Sequence, residues 1–392
     1  MTCFLAPNRY RARMQDYDAI RPYLDDEVEA VIARLVRDPG LRVAASRFLL
    51  PRLSAFAPAL ADLLVGWMLR LKTRRMRTVA QVQEFLENYM RRLVDTTIAE
   101  LSFSGLEALE PGTAYLFISN HRDIVFDSSV LNYVIYHSGH DTARMAVGDN
   151  LLTEPFAADL MRLNKSFVVE RSATGRKAIY QAMNRTSSYI RHSLETGNSV
   201  WIAQREGRAK DGFDRTEPAL LKMLALAWRK DIETFSEMLE HINLVPVSIS
   251  YELDPCDRDK ARELTILDRD GRYAKAPGED LSSIVRGLLG FKGRMHLHFS
   301  APIKSPVADA DELAQVIDRA IVGGLRVFPT QAAAARELGI EHVPDTSDWP
   351  VSVQEAYGQR LAECPQDYRP ALLAGYGNLI RNRNELGISA DS

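Results

Sequence analysis

The chain has 392 residues, of which 46% are hydrophobic and 26% charged, and its formal net charge is −3. This charge balance excludes a protein whose whole surface binds nucleic acid, because such surfaces are strongly basic, so any basic function is expected to be local. The length allows one large domain or two with a substantial apolar core.

Three cysteines, Cys3, Cys256 and Cys364, lie far apart and show no zinc-ligand spacing. This pattern predicts a reducing compartment and no metal site. The first 18 residues turn charged within a few positions and lack the apolar core of a signal peptide. The sequence therefore predicts a protein that stays in the cytoplasm.

Residues 1–100 carry the 3.6-residue periodicity of helices without strand alternation, which predicts an all-helical N-terminal region. Residues 56–71 form one amphipathic segment that runs into a basic cluster. The five cations of this cluster are Arg70, Lys72, Arg74, Arg75 and Arg77. Such a helix either packs in the protein with a solvated charged end or lies on an anionic bilayer surface. No run reaches the roughly 18 apolar residues that a membrane-spanning helix needs.

Beyond residue 100, short β-rich runs alternate with helical stretches until about residue 305. This alternation predicts an α/β fold with a largely parallel central sheet flanked by helices, and with helical N-terminal and C-terminal extensions. The predicted strands lie at residues 114–119, 143–148, 165–170, 199–204, 244–252 and 294–300. The predicted domains are the N-terminal region at 1–100, the α/β core at 101–305 and a helical C-terminal region at 306–392. The polar stretch 253–280 predicts a surface excursion before the last strand.

A polar cluster, SNHRDIVFD at residues 119–127, directly follows the first predicted strand. A carboxylate on one ring nitrogen of His121 would fix the tautomer and make the other nitrogen a general base for a hydroxyl. Asp127 can return to the ring across one turn of helix, and Asp123 is close enough to compete for this role. Taken alone, His121 is more often an ordinary hydrogen-bonded histidine, and Asp127 can be a helix cap. The spacing leaves these alternatives open.

Three more polar clusters follow predicted strands. AQREGRAKDGFDR, residues 203–215, combines a glycine turn with cations and a carboxylate, which suits a phosphate monoester and its neighbouring hydroxyls, although such turns are often merely solvated. In FVVERS, residues 167–172, a predicted strand ends near Arg171, a second potential phosphate ligand. VPVSISYE at 245–252 is by itself a packed strand. Because parallel strands place their carboxyl ends at one edge of a sheet, the clusters are expected to share a cleft.

In this order, NHRDIVFD, SFVVERS, WIAQREGRAKDG and LVPVSISYE resemble the four motif blocks of the glycerolipid acyltransferase family, in particular the glycerol-3-phosphate and 1-acylglycerol-3-phosphate O-acyltransferases. The resemblance covers roughly residues 100–305. Two departures indicate a divergent, bacterial-type branch. Five residues instead of the usual four separate His121 from Asp127, and Arg208 follows Gly207 directly where the family commonly has one residue between them.

The resemblance implies acyl transfer without a covalent acyl-enzyme. His121, oriented by Asp127, would take the proton of an acceptor hydroxyl, which attacks the thioester of acyl-CoA or acyl-carrier protein. The acceptor implied is a glycerol phosphate or a lysophospholipid. The residues expected to bind it are Arg122, Arg171, Glu206, Gly207, Arg208 and Lys210. No metal and no cofactor other than the acyl thioester is implied.

An enzyme that acylates lipid precursors meets a bilayer, so the resemblance favours the membrane-surface interpretation of residues 56–77 and a peripheral location at the inner face of the cell membrane. Two alternatives stay open: a different lipid hydroxyl as acceptor, for example on an amino-acid-containing lyso-lipid, and a non-catalytic module that binds lipid or acyl-carrier protein. A phosphate-binding NTPase is not supported, since neither GxxxxGK[ST] nor GxGxxG follows any predicted strand.

Overall fold

The structure is a computed structural model that describes residues 16–152, 154–346 and 348–388. The chain divides into two compact units, residues 1–89 with 144–190 and residues 90–143 with 191–392. Residues 1–15 lie outside the described ranges. They include Cys3 and most of the stretch on which the signal-peptide prediction rests. The boundaries of the three predicted domains stay a prediction.

The helices and strands follow one another along the chain much as the sequence predicts. The helices are α1 (Asp25–Leu35), α2 (Pro39–Leu49), α3 (Pro51–Phe56), α4 (Pro58–Thr73), α5 (Val79–Thr97), α6 (Phe126–His137), α7 (Pro155–Leu163), α8 (Arg176–Glu195), α9 (Pro218–Ala225), α10 (Phe235–His241), α11 (Asp257–Asp270), α12 (Glu279–Leu289), α13 (Ala310–Gly324), α14 (Pro329–Glu337), α15 (Val351–Glu363) and α16 (Arg369–Glu385). The strands are β1 (Glu100–Ser104), β2 (Leu116–Ser119), β3 (Arg144–Gly148), β4 (Ser166–Val169), β5 (Val200–Ala203), β6 (Leu244–Tyr251) and β7 (Arg294–Phe299).

The first unit contains α1–α4 and α7, most of α5 and α8, and the parallel pair β3 and β4. Proline occupies the first turn of α2, α3 and α4, where its missing N–H would have no helical partner in any case. The apolar stripes of α1, α5 and α7 pack together. The buried residues of this core are Val28, Val31, Leu35, Val79, Val82 and Leu163.

Helix α4 buries one face and exposes the other. Val65 and Leu69 pack into a core, whereas Leu63 is 67% exposed and Trp67 is 62% exposed. Further exposed apolar side chains on or beside this face are Phe56, Leu60, Leu64 and Leu71. The cations of the basic cluster are exposed as well. The packed-helix interpretation therefore accounts for only half of this helix, and its solvent face is a continuous apolar stripe beside a basic end.

The second unit is built on a sheet whose strands lie in the order β1-β7-β6-β2-β5. β2 pairs in parallel with both β5 and β6, and β1 pairs in parallel with β7, while β6 and β7 run antiparallel. Every residue of β2 and of β6 is buried, as expected for strands covered on both faces. Helices flank the sheet. The predicted α/β class with a largely parallel sheet is confirmed.

Two local predictions hold only in part. Within the described residues the N-terminal region is helical up to Thr97, but no pattern in the sequence indicated β1 at Glu100–Ser104, which exists through its pairing with β7. The stretch 253–280 is exposed at residues 267–272 and 274–278, whereas its first half is not a surface excursion, because it enters α11 and is buried at Leu253, Cys256 and Lys260. α11 has few apolar residues, because charged side chains attach much of it to the rest of the unit through ion pairs.

Candidate active site

The carboxyl ends of β2, β5 and β6 lie side by side in the second unit. The register pairs Ser119 at the end of β2 with Ala203 of β5 and with Val247 of β6. Because these three strands are parallel, the residues that follow each strand emerge at one edge of the sheet. The first, third and fourth motif blocks are brought together in this way.

His121 and Asp127 are in hydrogen-bond contact. The Nδ1 atom of His121 lies 2.8 Å from Oδ2 of Asp127, the second residue of α6. The same carboxylate oxygen accepts the backbone N–H groups of Arg122 at 2.7 Å and Asp123 at 2.9 Å. These bonds close the turn that holds the imidazole. The Asp127 side chain is fully buried, and that of His121 is 14% exposed.

Asp123, the competing carboxylate, points elsewhere. Its Oδ1 atom accepts the backbone N–H groups of Val125 at 3.0 Å and Phe126 at 2.8 Å, so it caps the start of α6. Burial and then the neighbouring charge of Asp127 raise the pKa of the Asp123 carboxyl, and the cation of Arg208 opposes this. The geometry thus selects Asp127 as the partner of His121.

A third side chain reaches Asp127, and sequence reasoning missed it. The hydroxyl of Tyr251, the last residue of β6, donates a 2.6 Å hydrogen bond to Oδ1 of Asp127. Burial raises the pKa of Tyr251 well above its usual value, and the charge of Asp127 adds to this, so the hydroxyl keeps its proton. The usable sequence signal was the position of Tyr251 at the carboxyl end of a strand, but only the strand order shows that β6 neighbours β2.

The third motif block lies next to this turn. The backbone N–H of Ala209 donates a 2.8 Å hydrogen bond to the carbonyl oxygen of His121. Gly207 has a φ of +75°, which glycine adopts without strain, and Glu206 beside it is exposed. The block is therefore positioned by the same backbone segment that positions the imidazole.

The predicted phosphate ligands differ in how they are already paired. Arg122 forms an ion pair with the buried Asp214, and Lys210 forms one with Glu263. Arg208 is half-buried, and its Nη1 atom is buried without a hydrogen-bond partner in the described part of the chain. Its cation also acts on Asp123. Arg208 is thus the cation of this block best placed to accept an anionic ligand.

Lys260 on α11 is a second contributor that sequence reasoning missed. Its Nζ atom donates a 2.6 Å hydrogen bond to the carbonyl oxygen of Arg122 and forms an ion pair with Asp254. Although burial acts in the opposite direction, Lys260 and Arg208 lower the pKa of Asp254. Lys260 therefore ties the turn after His121 to α11. Arg122, Lys210, Tyr251 and Lys260 also line one open pocket.

Arg171, the fourth predicted ligand, belongs to the first unit, where it follows β4 by two residues. Its backbone N–H donates a 3.1 Å hydrogen bond to Asp149, and the next residue, Ser172, binds the same carboxylate. Asp149 thereby fixes the turn at the end of β4. The role of Arg171 in substrate binding stays a prediction.

Two of the cysteines are buried and unpaired. Burial raises the pKa of the Cys256 thiol to about 11, and it raises the pKa of Cys364 as well. Neither thiol is therefore a ready nucleophile at neutral pH. Within residues 16–152, 154–346 and 348–388, no three His, Cys, Asp or Glu side chains are grouped so as to hold a metal ion.

None of the helices in the described ranges combines the length and the apolar content that a bilayer span requires.

Comparison with known proteins identifies relatives of the core. Residues 100–250 match a protein-family model described as Acyltransferase. The chain is 29% identical over 199 residues to a glycerol-3-phosphate acyltransferase of Pseudoalteromonas translucida and 30% identical over 196 residues to one of Alteromonas mediterranea. These alignments cover 50% and 49% of this chain, and it spans only 22% of the length of each relative.

Among solved structures, the 1-acyl-sn-glycerophosphate acyltransferase PlsC of Thermotoga maritima aligns with a TM-score of 0.37 at 12% identity. That alignment covers 75% of this chain and 91% of the other. The motif blocks lie within or at the end of the segment that the family model matches. Through residues 100–250, the chain carries a segment that matches the Acyltransferase family model.

Proposed function

We propose that this protein transfers a fatty acyl group from acyl-CoA or acyl-carrier protein to a hydroxyl of a glycerol phosphate or lysophospholipid. His121 takes the proton of the acceptor hydroxyl on Nε2 while the oxygen attacks the thioester carbonyl. The new C–O ester bond forms, the C–S bond breaks, and the thiolate leaves with the proton returned by His121. Asp127 holds the ring and stabilises the imidazolium that forms between these steps.

The contact between His121 and Asp127 is the observation that carries this proposal. With Nδ1 engaged by the carboxylate at 2.8 Å, Nε2 is the nitrogen left for a substrate, and it has no hydrogen-bond partner among the described residues. A non-catalytic binding module has no need of a buried carboxylate aligned on a histidine. The raised pKa values of Cys256 and Cys364 support direct transfer over a cysteine-bound acyl intermediate.

We assign the acceptor's phosphate chiefly to Arg208, because its buried Nη1 atom lacks a partner whereas Arg122 and Lys210 are ion-paired. Exposed Glu206, beside the glycine turn at Gly207, orients the glycerol hydroxyls. Arg122 and Lys210 contribute to the positive field around the acceptor. This division of roles holds the attacking hydroxyl near His121, which is the main contribution of substrate-binding residues to such a transfer.

The membrane-surface interpretation of α4 belongs to the same proposal. Its solvent face carries Leu63 and Trp67, and the basic cluster that follows suits anionic headgroups. We propose that this face rests on the inner surface of the cell membrane, where lipid acceptors are drawn and acylated products return.

The decisive experiment offers the purified protein acyl-CoA and acyl-carrier protein with a panel of acceptors, and follows thiol release and ester formation together. We expect glycerol 3-phosphate or a lysophosphatidate to be acylated, and His121→Ala to reduce turnover by about a thousandfold or more. The matched control is His241→Ala, an exposed histidine at the end of α10.

Full turnover by the folded His121→Ala variant would overturn the mechanism. Acylation of an amino-acid-containing lyso-lipid, with neither phosphorylated acceptor consumed, would replace the proposed acceptor. Tight lipid binding without ester formation on any acceptor would favour the non-catalytic alternative.

A further inference from the structure

Tyr251 occupies a position from which it acts on the catalytic pair through Asp127. Its ring is buried within β6, and its hydroxyl reaches Oδ1 of Asp127, the oxygen that His121 leaves free. Oδ2 of the same carboxylate already accepts three donors, from His121 and from the backbone of Arg122 and Asp123. Within the part of the chain that the structure describes, Tyr251 is the one donor that binds the second oxygen.

The backbone around Tyr251 is held to β2 by a side chain of the first motif block. Fully buried Asn120 donates from Nδ2 to the carbonyl oxygen of Ile249 at 3.0 Å, and its Oδ1 atom accepts the N–H of Ile249 at 2.8 Å. This extends the pairing of β2 with β6 by one step beyond Ser119. Because every second residue of a strand faces the same side of the sheet, the side chain of Tyr251 points to the same side as that of Ile249.

The other end of the tyrosine is fixed from α14. The Nε2 atom of buried Gln331 donates a 2.9 Å hydrogen bond to the carbonyl oxygen of Tyr251. Two amide side chains thus hold this part of β6, Asn120 at the backbone of Ile249 and Gln331 at the carbonyl oxygen of Tyr251. An ordinary core tyrosine needs one acceptor for its hydroxyl, whereas this one is aimed at the carboxylate that orients His121.

We propose that Tyr251 is a positioning residue that completes a His121–Asp127–Tyr251 triad. This inference rests on the proposed general-base role of His121. The hydrogen bond from Tyr251 has two effects. It prevents the Asp127 carboxylate from rotating away from the imidazole, and it withdraws part of the carboxylate charge, which limits how strongly Asp127 stabilises the protonated ring. The phenol proton stays on Tyr251 throughout.

The variant Tyr251→Phe removes only the hydroxyl. We expect kcat to fall by roughly 10- to 100-fold, the size expected for losing one hydrogen bond to a charged group, with KM for both substrates within about twofold. The fall in kcat comes from molecules whose carboxylate has turned away from the imidazole. In the molecules that keep the contact, the full charge of Asp127 stabilises the imidazolium more strongly, so the acidic limb of the kcat profile moves to higher pH. A purely structural loss would lower the amount of folded enzyme without moving this limb.

The matched control is Tyr376→Phe, which removes a comparable buried hydrogen bond, 2.7 Å from the tyrosine hydroxyl to Asp257, together with the 3.1 Å bond that the hydroxyl accepts from the backbone N–H of Asp254. We expect this variant to lose thermal stability while the acidic limb keeps its position. An unchanged kcat and an unchanged limb in folded Tyr251→Phe, or equal movement of the limb in both variants, would refute the role of Tyr251.

A titration of the His121 ring followed by nitrogen-15 NMR tests the triad without any acyl transfer. Its midpoint should move to higher pH in Tyr251→Phe and stay in place in Tyr376→Phe. In wild-type protein grown with 3-fluorotyrosine, the more acidic phenol donates more strongly and the midpoint should move to lower pH. A midpoint indifferent to both changes overturns the triad, whereas inactivity of the wild type on every thioester overturns only the proposed reaction.

Discussion

At the scale of single residues, the Asp127 carboxylate is the most heavily bonded group of the site, with four donors on its two oxygens. An asparagine can reproduce this arrangement. Its carbonyl oxygen can accept the three donors that now bind Oδ2, and the Tyr251 hydroxyl can rotate to accept from the amide nitrogen. Replacing Asp127 by asparagine therefore removes the charge but keeps the hydrogen-bond pattern. A change in activity can then be assigned to the lost charge and not to misfolding.

We therefore expect Asp127→Asn to fold and to lose about a thousandfold or more in kcat, because a neutral amide does not stabilise the imidazolium. Asp123→Asn is the control, since its Oδ1 caps α6 without touching His121, and its loss should stay within about tenfold. Steady-state kinetics on both variants decide the point. A larger loss in Asp123→Asn would mean that the wrong carboxylate has been paired with the histidine.

Arg208 carries the second prediction at this scale. Because one of its buried nitrogens has no partner, its loss should affect the anionic ligand more than the protein itself. We expect Arg208→Gln to raise KM for a phosphorylated acceptor by about 10- to 100-fold and to leave KM for the thioester nearly unchanged. Arg215→Gln, which removes an exposed arginine with a 3.5 Å ion pair to Glu385, is the control. Equal KM changes for acceptor and donor would disprove this assignment.

At the scale of elements, α4 offers a test of membrane contact. Leu63→Ser with Trp67→Ser removes two exposed apolar side chains from its solvent face while Val65 and Leu69 keep their packing. We expect co-sedimentation with phosphatidylglycerol vesicles to fall by about tenfold or more, because each large apolar side chain contributes roughly 1.5–3 kcal/mol when fully buried. Binding of the wild type should weaken with salt, since the basic cluster acts through the surface potential.

Leu267→Ser on α11 serves as the control for α4, because this leucine is 46% exposed in the second unit. If it reduces sedimentation as much as the α4 double variant, the effect is one of general surface hydrophobicity. Wild-type protein that stays in solution with these vesicles would count against a membrane-facing α4.

The pair β1 and β7 carries a pH-sensitive cluster. Ser104 lies 3.1 Å from His296 and 2.9 Å from His298 in hydrogen-bond contact, and Ser102 lies 2.9 Å from His296. Burial lowers the pKa of both histidines. For His296, the Arg326 cation and His298 lower it further while Glu100 raises it, and Glu107 raises the pKa of His298. Both rings therefore favour the neutral form in the folded protein.

Such a histidine has a lower pKa in the folded protein than its unfolded value of about 6.5. It contributes its full share to the free energy of unfolding above about pH 6.5, and this share is lost as the pH falls below that value. We expect the Tm of the wild type to drop by a few degrees more between pH 7.5 and pH 5 than that of the double variant His296→Asn and His298→Asn. Thermal unfolding followed by circular dichroism at both pH values measures the difference. Identical pH dependence in both proteins would show that these rings do not titrate on unfolding.

At the scale of the whole molecule, the strand and helix order was accessible from the sequence because periodicity and polar strand ends are local signals. β1 was not accessible from the sequence, because its five residues form a strand only by pairing with β7. The same limit explains Tyr251 and Lys260. Each reaches the site from an element whose neighbours are set by the sheet order or by packing, and no local pattern encodes either.

Support for the site also comes from beyond the segment matched by the family model. Helix α16 lies against the third motif block, where Nδ2 of Asn378 donates a 2.8 Å hydrogen bond to the carbonyl oxygen of Asp211. Gly212 meets the same helix, because a Cβ there would lie 2.7 Å from the carbonyl oxygen of Ala374 and 3.0 Å from that of Gly375. The C-terminal helix thus shapes the loop that carries Arg208.

Gly212→Ala tests this coupling. The position has a φ of +83°, which costs a non-glycine residue about 1–2 kcal/mol, and the contact with α16 should add about 1–3 kcal/mol of overpacking. Gly271→Ala is the matched control, because its φ of +71° carries the first cost while nothing lies within 4 Å of the added Cβ. We expect chemical denaturation to report the larger loss for Gly212→Ala, together with a raised KM for the acceptor that Gly271→Ala lacks. Equal losses and an unaltered KM would mean that α16 does not shape the loop.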